Sequence, residues 1–260
     1  MKAKEIMTKD VIFVDKDEDL RHVLDLMEKH EVTKIPVLEN KKLVGIITDG
    51  KIAYKLGSIR KKDVPAARLH ASSVMEKKFD TVLSDTSVED ILKKVGLPGL
   101  TMLPVIDGDR FYGVLTKADL LHLVNKKTKL ETIMKTSLFT VFPDDRVIHA
   151  RRIIVDNNVA RLPVIDDGKV VGMIAEREVA FAFAALKRSF SRGHQKHRLE
   201  ELLVRDVMNT SVITAKPDIT AEEAAQLMLK ENVGALPIVK QDNTIVGIVT
   251  RTDLLKTISC

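Results

Sequence analysis

Tryptophan is missing from these 260 residues, tyrosine occurs twice and cysteine once. The single cysteine, Cys260, excludes an internal disulfide and a cysteine-based metal cluster. No apolar run approaches the roughly 18 residues that a membrane-spanning helix needs. The opening stretch, MKAKEIMTKD, lacks the apolar core of a signal peptide, so a soluble, cytoplasmic protein is expected. Aromatic residues make up only 4%, which leaves little with which to stack nucleobases. Also absent are a phosphate-cradling G-x-x-x-x-G-K-[ST], a G-x-S-x-G elbow and an H-E-x-x-H pair, so neither an enzyme nor a catalytic cofactor is expected. His22, His30, His70, His122 and His149 are scattered and read as surface or helix residues. His194 and His197 stand three apart in a basic loop without a cysteine or a clear carboxylate partner, which argues against zinc.

What is present is a ruler. Met7, Met75, Met134 and Met208 are each followed 29 residues later by a proline: Pro36, Pro104, Pro163 and Pro237. A sequence that repeats in this way is four copies of one structural unit. Thirteen residues after each methionine stands an apolar residue (Leu20, Val88, Val147, Ala221), with others following at three, four and seven residues, the period of an amphipathic helix. Thr220 and Glu223 form a capping-box signature ahead of the fourth such helix, and Ser87 with Asp90 suggests a similar start in the second.

Short β-rich runs follow, KIPVLE, MLPVID, RLPVID and ALPIVK, then turn residues, then LVGIIT, FYGVLT, VVGMIA and IVGIVT, so each unit contains a hairpin. Gly45, Gly113 and Gly172 lie nine residues after their prolines and Gly247 ten, an extra residue expected to enlarge the fourth turn. A short strand (VIFV, TVL, FTVF, VIT) is expected before the first helix, and a second helix closes each unit. The order is strand, helix, strand, strand, helix, an α+β (α/β) class. Units of about 55 residues are too small to bury a good core alone and should pair. The expected units are residues 1–58, 70–125, 128–187 and 201–260, paired as modules 1–125 and 128–260.

The net charge of +5 is modest, but basic residues concentrate in GSIRKKDVPAARLH, NKKTK and KRSFSRGHQKHRLE, which read first as solvated connectors. VAFAFAAL, Val179 to Leu186, is apolar on every side and too short to cross a bilayer, so it is expected as a helix buried between the two halves of the protein. Arg151 occupies the helix position filled by Leu24, Leu92 and Ala225, and is expected to snorkel to the surface or to face an acidic partner, a bound anion being a further option.

The leading methionine, the strand proline and the closing G-h-h-T-x-x-D (h apolar), recurring four times over nearly the whole chain, resemble the cystathionine-β-synthase (CBS) domain. The resemblance implies that two units pack sheet to sheet about a pseudo-two-fold axis as a Bateman module. Two such modules can form a flat disc, as in the γ subunit of AMP-activated protein kinase. It also implies a regulatory binder of adenosine derivatives: AMP, ADP, ATP or, in some members, S-adenosylmethionine. The family uses the threonine and aspartate of the closing motif on phosphate and ribose.

Those residue types suit the task, because a carboxylate accepts neighbouring ribose hydroxyls and a hydroxyl with helix-terminal N–H groups suits a phosphate. Thr250 with Asp253 and Thr116 with Asp119 complete the motif in the fourth and second units. In the first, Thr48 remains but Lys51 replaces the aspartate; in the third, Ala175 and Glu178 stand at the two positions. Threonine and aspartate at a helix start are also ordinary caps, but their recurrence after the same strand favours binding. Two residues before each ruler proline stand Lys34, Met102, Arg161 and Ala235. Related family members use a basic residue there against the partner unit's phosphate. Two composite sites are therefore expected: Thr116 and Asp119 with Lys34, and Thr250 and Asp253 with Arg161, the latter tighter because arginine grips a phosphate bidentately. Lys117 and Arg251 are candidates to add charge, and Val212 and Pro237 to stack the adenine, although core packing explains the last two equally well.

The expected function is a regulatory sensor of adenosine nucleotides. Because four units account for the 260 residues, no enzyme regulated in cis is expected. Output should pass to a separate protein, such as a kinase or another enzyme regulated in trans, or through self-assembly, a homodimer included. One alternative is an S-adenosylmethionine module, against which Lys34 and Arg161 count. The other is a polyanion or nucleic-acid binder acting through the basic connectors, disfavoured by the scarcity of aromatics and the lack of a recognisable DNA-binding motif.

Overall fold

The computed structural model describes residues 1–56, 69–94, 102–189 and 201–258. The two long basic connectors, with His194 and His197 in the second, fall almost wholly outside the described residues.

The first unit runs α1 (Ala3–Ile6), β1 (Val14–Asp15), α2 (Leu20–Lys29), β2 (Lys34–Glu39), β3 (Lys42–Thr48), α3 (Asp49–Leu56). The second runs α4 (Ala71–Val74), α5 (Val88–Leu92), β4 (Met102–Asp107), β5 (Arg110–Thr116), α6 (Lys117–Leu121). The third opens on a 3-10 turn at Leu130–Thr132, then α7 (Val147–Asp156), β6 (Arg161–Asp166), β7 (Lys169–Ala175), α8 (Glu176–Ser189). The fourth opens on a 3-10 turn at Val204–Asp206, then α9 (Ala221–Lys230), β8 (Ala235–Val239), β9 (Ile245–Thr250), α10 (Arg251–Lys256).

Local chemistry accounts for these elements. Thr220 and Glu223 close the expected capping box on α9, the Thr220 N–H donating to Glu223 Oε2 at 2.7 Å, and Asp90 N–H donates to Ser87 Oγ at 3.1 Å on α5. The periodic stripe of α9, Ala221, Ala224, Ala225 and Met228, is buried. Each hairpin is antiparallel, pairs the residue two before its proline with the last residue of the second strand, and shifts register just after the proline. The β2–β3 turn is two residues, Asn40 (φ 50) and Lys41 (φ 66), left-handed as a primed turn demands. The fourth turn is longer, as the extra residue predicts: Lys240 N–H donates to the Thr244 carbonyl at 2.9 Å.

The expected first strands shrink in the structure. Only β1 is a strand, of two residues. In the other units a single parallel bridge takes its place: Val82 to Val105, Val141 to Val164, Ala215 to Ile238.

Two relationships join the units. Units one and two exchange their leading segments, and so do three and four. Lys2 bridges Ser87 while His70 bridges Asp19; Lys129 bridges Thr220 while Leu203 bridges Arg146. The ruler methionines travel with these segments. A Cβ built on Gly45, Gly172 or Gly247 would meet the sulfur of Met75, Met208 or Met134 at 2.7, 2.5 and 2.6 Å, and one on Gly113 the Thr8 carbonyl oxygen at 2.3 Å. Each glycine is thus a seat for the partner unit's leading segment. The second relationship is through helices. One core joins units one and three, with α3 against α8 and Phe183 fully buried; another joins two and four, with α6 against α10. The apolar run at Val179 therefore sits where it was expected, between the halves.

Candidate functional site

Thr116 and Thr250 end β5 and β9 and cap α6 and α10. Each receives its aspartate in return: Thr116 N–H and Oγ1 donate to Asp119 Oδ2 at 2.7 and 2.8 Å, and Thr250 N–H and Oγ1 donate to Asp253 Oδ2 at 2.8 and 2.6 Å. The capping role is therefore real, and it consumes one carboxylate oxygen. The other oxygen points at the partner unit. Asp119 Oδ1 accepts from Thr8 Oγ1 at 2.9 Å, and Asp253 Oδ1 lies 3.4 Å from Lys135 Nζ. Asp253 is 8% exposed, so Lys135 is its cover rather than a surface ornament. Each Oδ1 keeps a lone pair that a diol could use beside these partners or in their place.

Thr8 and Lys135 were not singled out in the sequence. They are the residues directly after Met7 and Met134, and their counterparts are Glu76 and Asn209. Backbone bridges pin all four beside the residue that follows each seat glycine: Thr8 to Val114, Glu76 to Ile46, Lys135 to Ile248 and Asn209 to Met173. In the first unit, Thr48 Oγ1 accepts from Lys51 N–H at 3.1 Å, and Lys51 pairs with Glu76 at 3.2 Å. In the third, Glu178 Oε2 accepts from the Ala175 N–H at 2.8 Å, completing half a capping box.

The cations lie near the junction of all four units. Lys34 pairs across its hairpin with Thr48, and Arg161 with Ala175, which sets both beside the acidic residue that opens the following helix, Asp49 or Glu176. Burial lowers Lys34 to about 8, with Asp49 opposing and Lys117 and Arg251 adding repulsion. Burial also lowers Arg161, against the pull of Asp49, Glu178 and Glu176. Its guanidinium nitrogens stand 2.7 and 2.9 Å from where a Cβ of Gly234 would be, so Arg161 packs directly on the Gly234 backbone of the fourth unit. Burial raises Asp49, and raises Glu176 to about 7 with help from the Asp49 charge.

Lys117 and Arg251 cross over. Lys117 Nζ donates to Thr252 Oγ1 at 2.8 Å in the fourth unit. Burial lowers Lys117 while Asp253, not its own unit's Asp119, is the main opposing charge. Arg251, lowered by burial and by Arg161, is opposed by Asp119 of the second unit. Its Nε is buried with no hydrogen-bond partner among the described residues. Such a group normally signals a missing polar partner.

The adenine candidates are less informative. Pro237 is buried opposite Ile248, and Val212 is half-buried in the segment ahead of Ala215. Arg151 resolves differently from either expectation. It reaches the C-terminal turn of α3, donating to the Ala53 and Tyr54 carbonyls at 3.4 Å each, with its guanidinium 5.5 Å from the Tyr54 ring. Helix ends leave such carbonyls in need of donors.

Among the described residues no group of three or more histidine, cysteine, aspartate or glutamate side chains is placed to hold a metal ion, and no helix is long and apolar enough to cross a membrane.

A family model for the CBS domain matches residues 3–58, 71–126, 130–185 and 204–260. Protein MJ1404 of Methanocaldococcus jannaschii is 30% identical over 267 residues, covering 99% of this chain and 62% of its own length. The chain therefore spans less than two thirds of that relative. Protein MJ1225 of the same organism is 26% identical over 271 residues, 95% of each chain. The crystal structure of MJ1225, described as a candidate archaeal homolog of γ-AMPK, superposes with a TM-score of 0.85 at 22% identity over 99% of this chain and 100% of that one. This last likeness concerns the fold.

Proposed function

The chain belongs to the CBS-domain family, with four copies of its unit, and from that premise we propose that it is a regulatory protein binding adenosine nucleotides between paired units. The modules are residues 1–125 and 128–260. The observation that carries the reading is the convergence of Lys34, Lys117, Arg161 and Arg251 beside two threonine–aspartate caps, with a buried Arg251 Nε that has no hydrogen-bond partner among the described residues. Partly buried cations that crowd one another are costly unless an anion joins them. Protein carboxylates already oppose these cations, and AMP, ADP or ATP adds a phosphate to them, together with a ribose diol for Asp119 or Asp253. The cations also weigh against a sulfonium ligand.

In this reading Asp119 and Asp253 each release one oxygen, from Thr8 and Lys135, to the ribose. Lys117 serves the site of the fourth unit, and Arg251 that of the second. Nucleotide binding favours one arrangement of the modules, and a separate partner protein reads that arrangement.

Calorimetry with AMP, ADP and ATP tests this. Asp253→Ala and Asp119→Ala should each remove one equivalent of binding. Lys117→Met should weaken the site that survives in Asp119→Ala, about tenfold or more for loss of a charge-assisted contact. Undiminished affinity in both aspartate variants would sink the assignment.

A further inference from the structure

The pairs Lys51–Glu76 and Lys135–Asp253 occupy equivalent places in the two modules. Each joins the third residue after the strand-ending threonine of one unit to the residue after the ruler methionine of its partner, at 3.2 and 3.4 Å. Their polarity is reversed. In the fourth unit the helix supplies the carboxylate and the partner segment the lysine; in the first, the helix supplies Lys51 and the partner segment Glu76. Replacement of the aspartate by Lys51 thus does not empty the first unit of a carboxylate. The groups beside Thr48 are the same three kinds found beside Thr250: a hydroxyl, a carboxylate and an ammonium.

We propose that the first unit holds a third ribonucleotide site, in which Glu76 of the second unit accepts the ribose diol and Lys51 meets the phosphate. The proposal rests on reading Thr116/Asp119 and Thr250/Asp253 as ribonucleotide sites. Three further features support it. Glu76 is held by backbone bonds in both directions with Ile46, at 2.8 and 3.0 Å, which fix its backbone beside the strand that ends at Thr48. Unlike Asp119 and Asp253, which hold their own helix starts, Glu76 reaches Thr48 from another unit and caps no helix among the described residues. Lys51 and Glu76 are 46% and 44% exposed, so the pair opens to a ligand at small cost.

The third unit is different. Glu178 caps its own helix, Ala175 has no hydroxyl, and the partner residue is the neutral Asn209.

The test is calorimetry with AMP and with ATP on the full chain carrying Asp119→Ala and Asp253→Ala. One equivalent of nucleotide should still bind. Adding Glu76→Ala should weaken that remaining binding about tenfold or more. Adding instead Lys51→Asp with Glu76→Lys, which copies the polarity of the fourth unit, should preserve it. Thermal melts should show the Glu76→Ala and the Lys51→Asp, Glu76→Lys variants melting with the double aspartate variant on which they are built, since the exposed pair contributes little stability. If wild type binds two equivalents and the double variant none, or if the remaining binding ignores Glu76→Ala, the third site is wrong and the two-site reading stands. A wild-type chain that binds neither nucleotide overturns both.

Discussion

A methyl group on Gly113 would stand 2.3 Å from the Thr8 carbonyl oxygen, a backbone atom tied to Val114 N–H at 3.0 Å. On Gly45 it would meet the thioether of Met75, which can swing aside. Gly113→Ala should therefore cost about 2–3 kcal/mol and Gly45→Ala about 1 kcal/mol, magnitudes typical of overpacking a tight contact. Urea melts would show the order, and equal costs would contradict the backbone seat. The pairing of methionine with glycine was half-legible in the sequence. Both recur at the same distance in three copies and one residue further in the fourth, but spacing within a copy carries no information about which copy's glycine receives which methionine. For the same reason Thr8, Glu76 and Lys135 went unnoticed, although they directly follow the ruler residues. Arg151 was conspicuous, yet nothing local to it reveals a helix end supplied by another unit.

Helix α8 was legible from its composition alone. Its apolar run implied burial between the halves, and Phe183, Val179, Ala180 and Ala184 enter the core shared with α3. Phe183→Ala should destabilise the chain by about 3–5 kcal/mol. Phe183→Asp should expose the seam, with size-exclusion and limited proteolysis reporting separated halves; a wild-type profile for the aspartate variant would place the seam elsewhere. Helix period, capping boxes and hairpin turns were all legible because each is encoded within about ten residues. The first strands were overread. A parallel bridge of one residue needs no alternating pattern, and an apolar run beside it looks the same as a longer strand. Nor could the sequence show that α6 and α10 exchange Lys117 and Arg251, because that depends on packing between units two and four.

The whole molecule gathers charge where its four units meet, and this has a pH signature. Glu176 is raised from 4.5 to about 7 in the folded state, so between those values the folded chain keeps a proton that the unfolded chain has released. Its contribution therefore declines as pH rises through that window, by at most about 3 kcal/mol. Lys34 has the opposite consequence: lowered from 10.5 to about 8, it restores stability as pH rises between those values. Melting temperatures from pH 5 to pH 8 should show Glu176→Gln gaining on wild type as pH increases, and parallel curves would mean that Glu176 does not titrate in this range. The exchange of leading segments reaches further, into how the chain is made. As the protein emerges from a ribosome, Met7 has no seat until Gly113 has been synthesised, and the core begun by α3 stays open until α8 arrives. Contacts so distant in sequence slow folding. The nascent first unit thus passes a long interval with its apolar face exposed, a period in which a chaperone, or the early closing of the first pair, decides between assembly and aggregation.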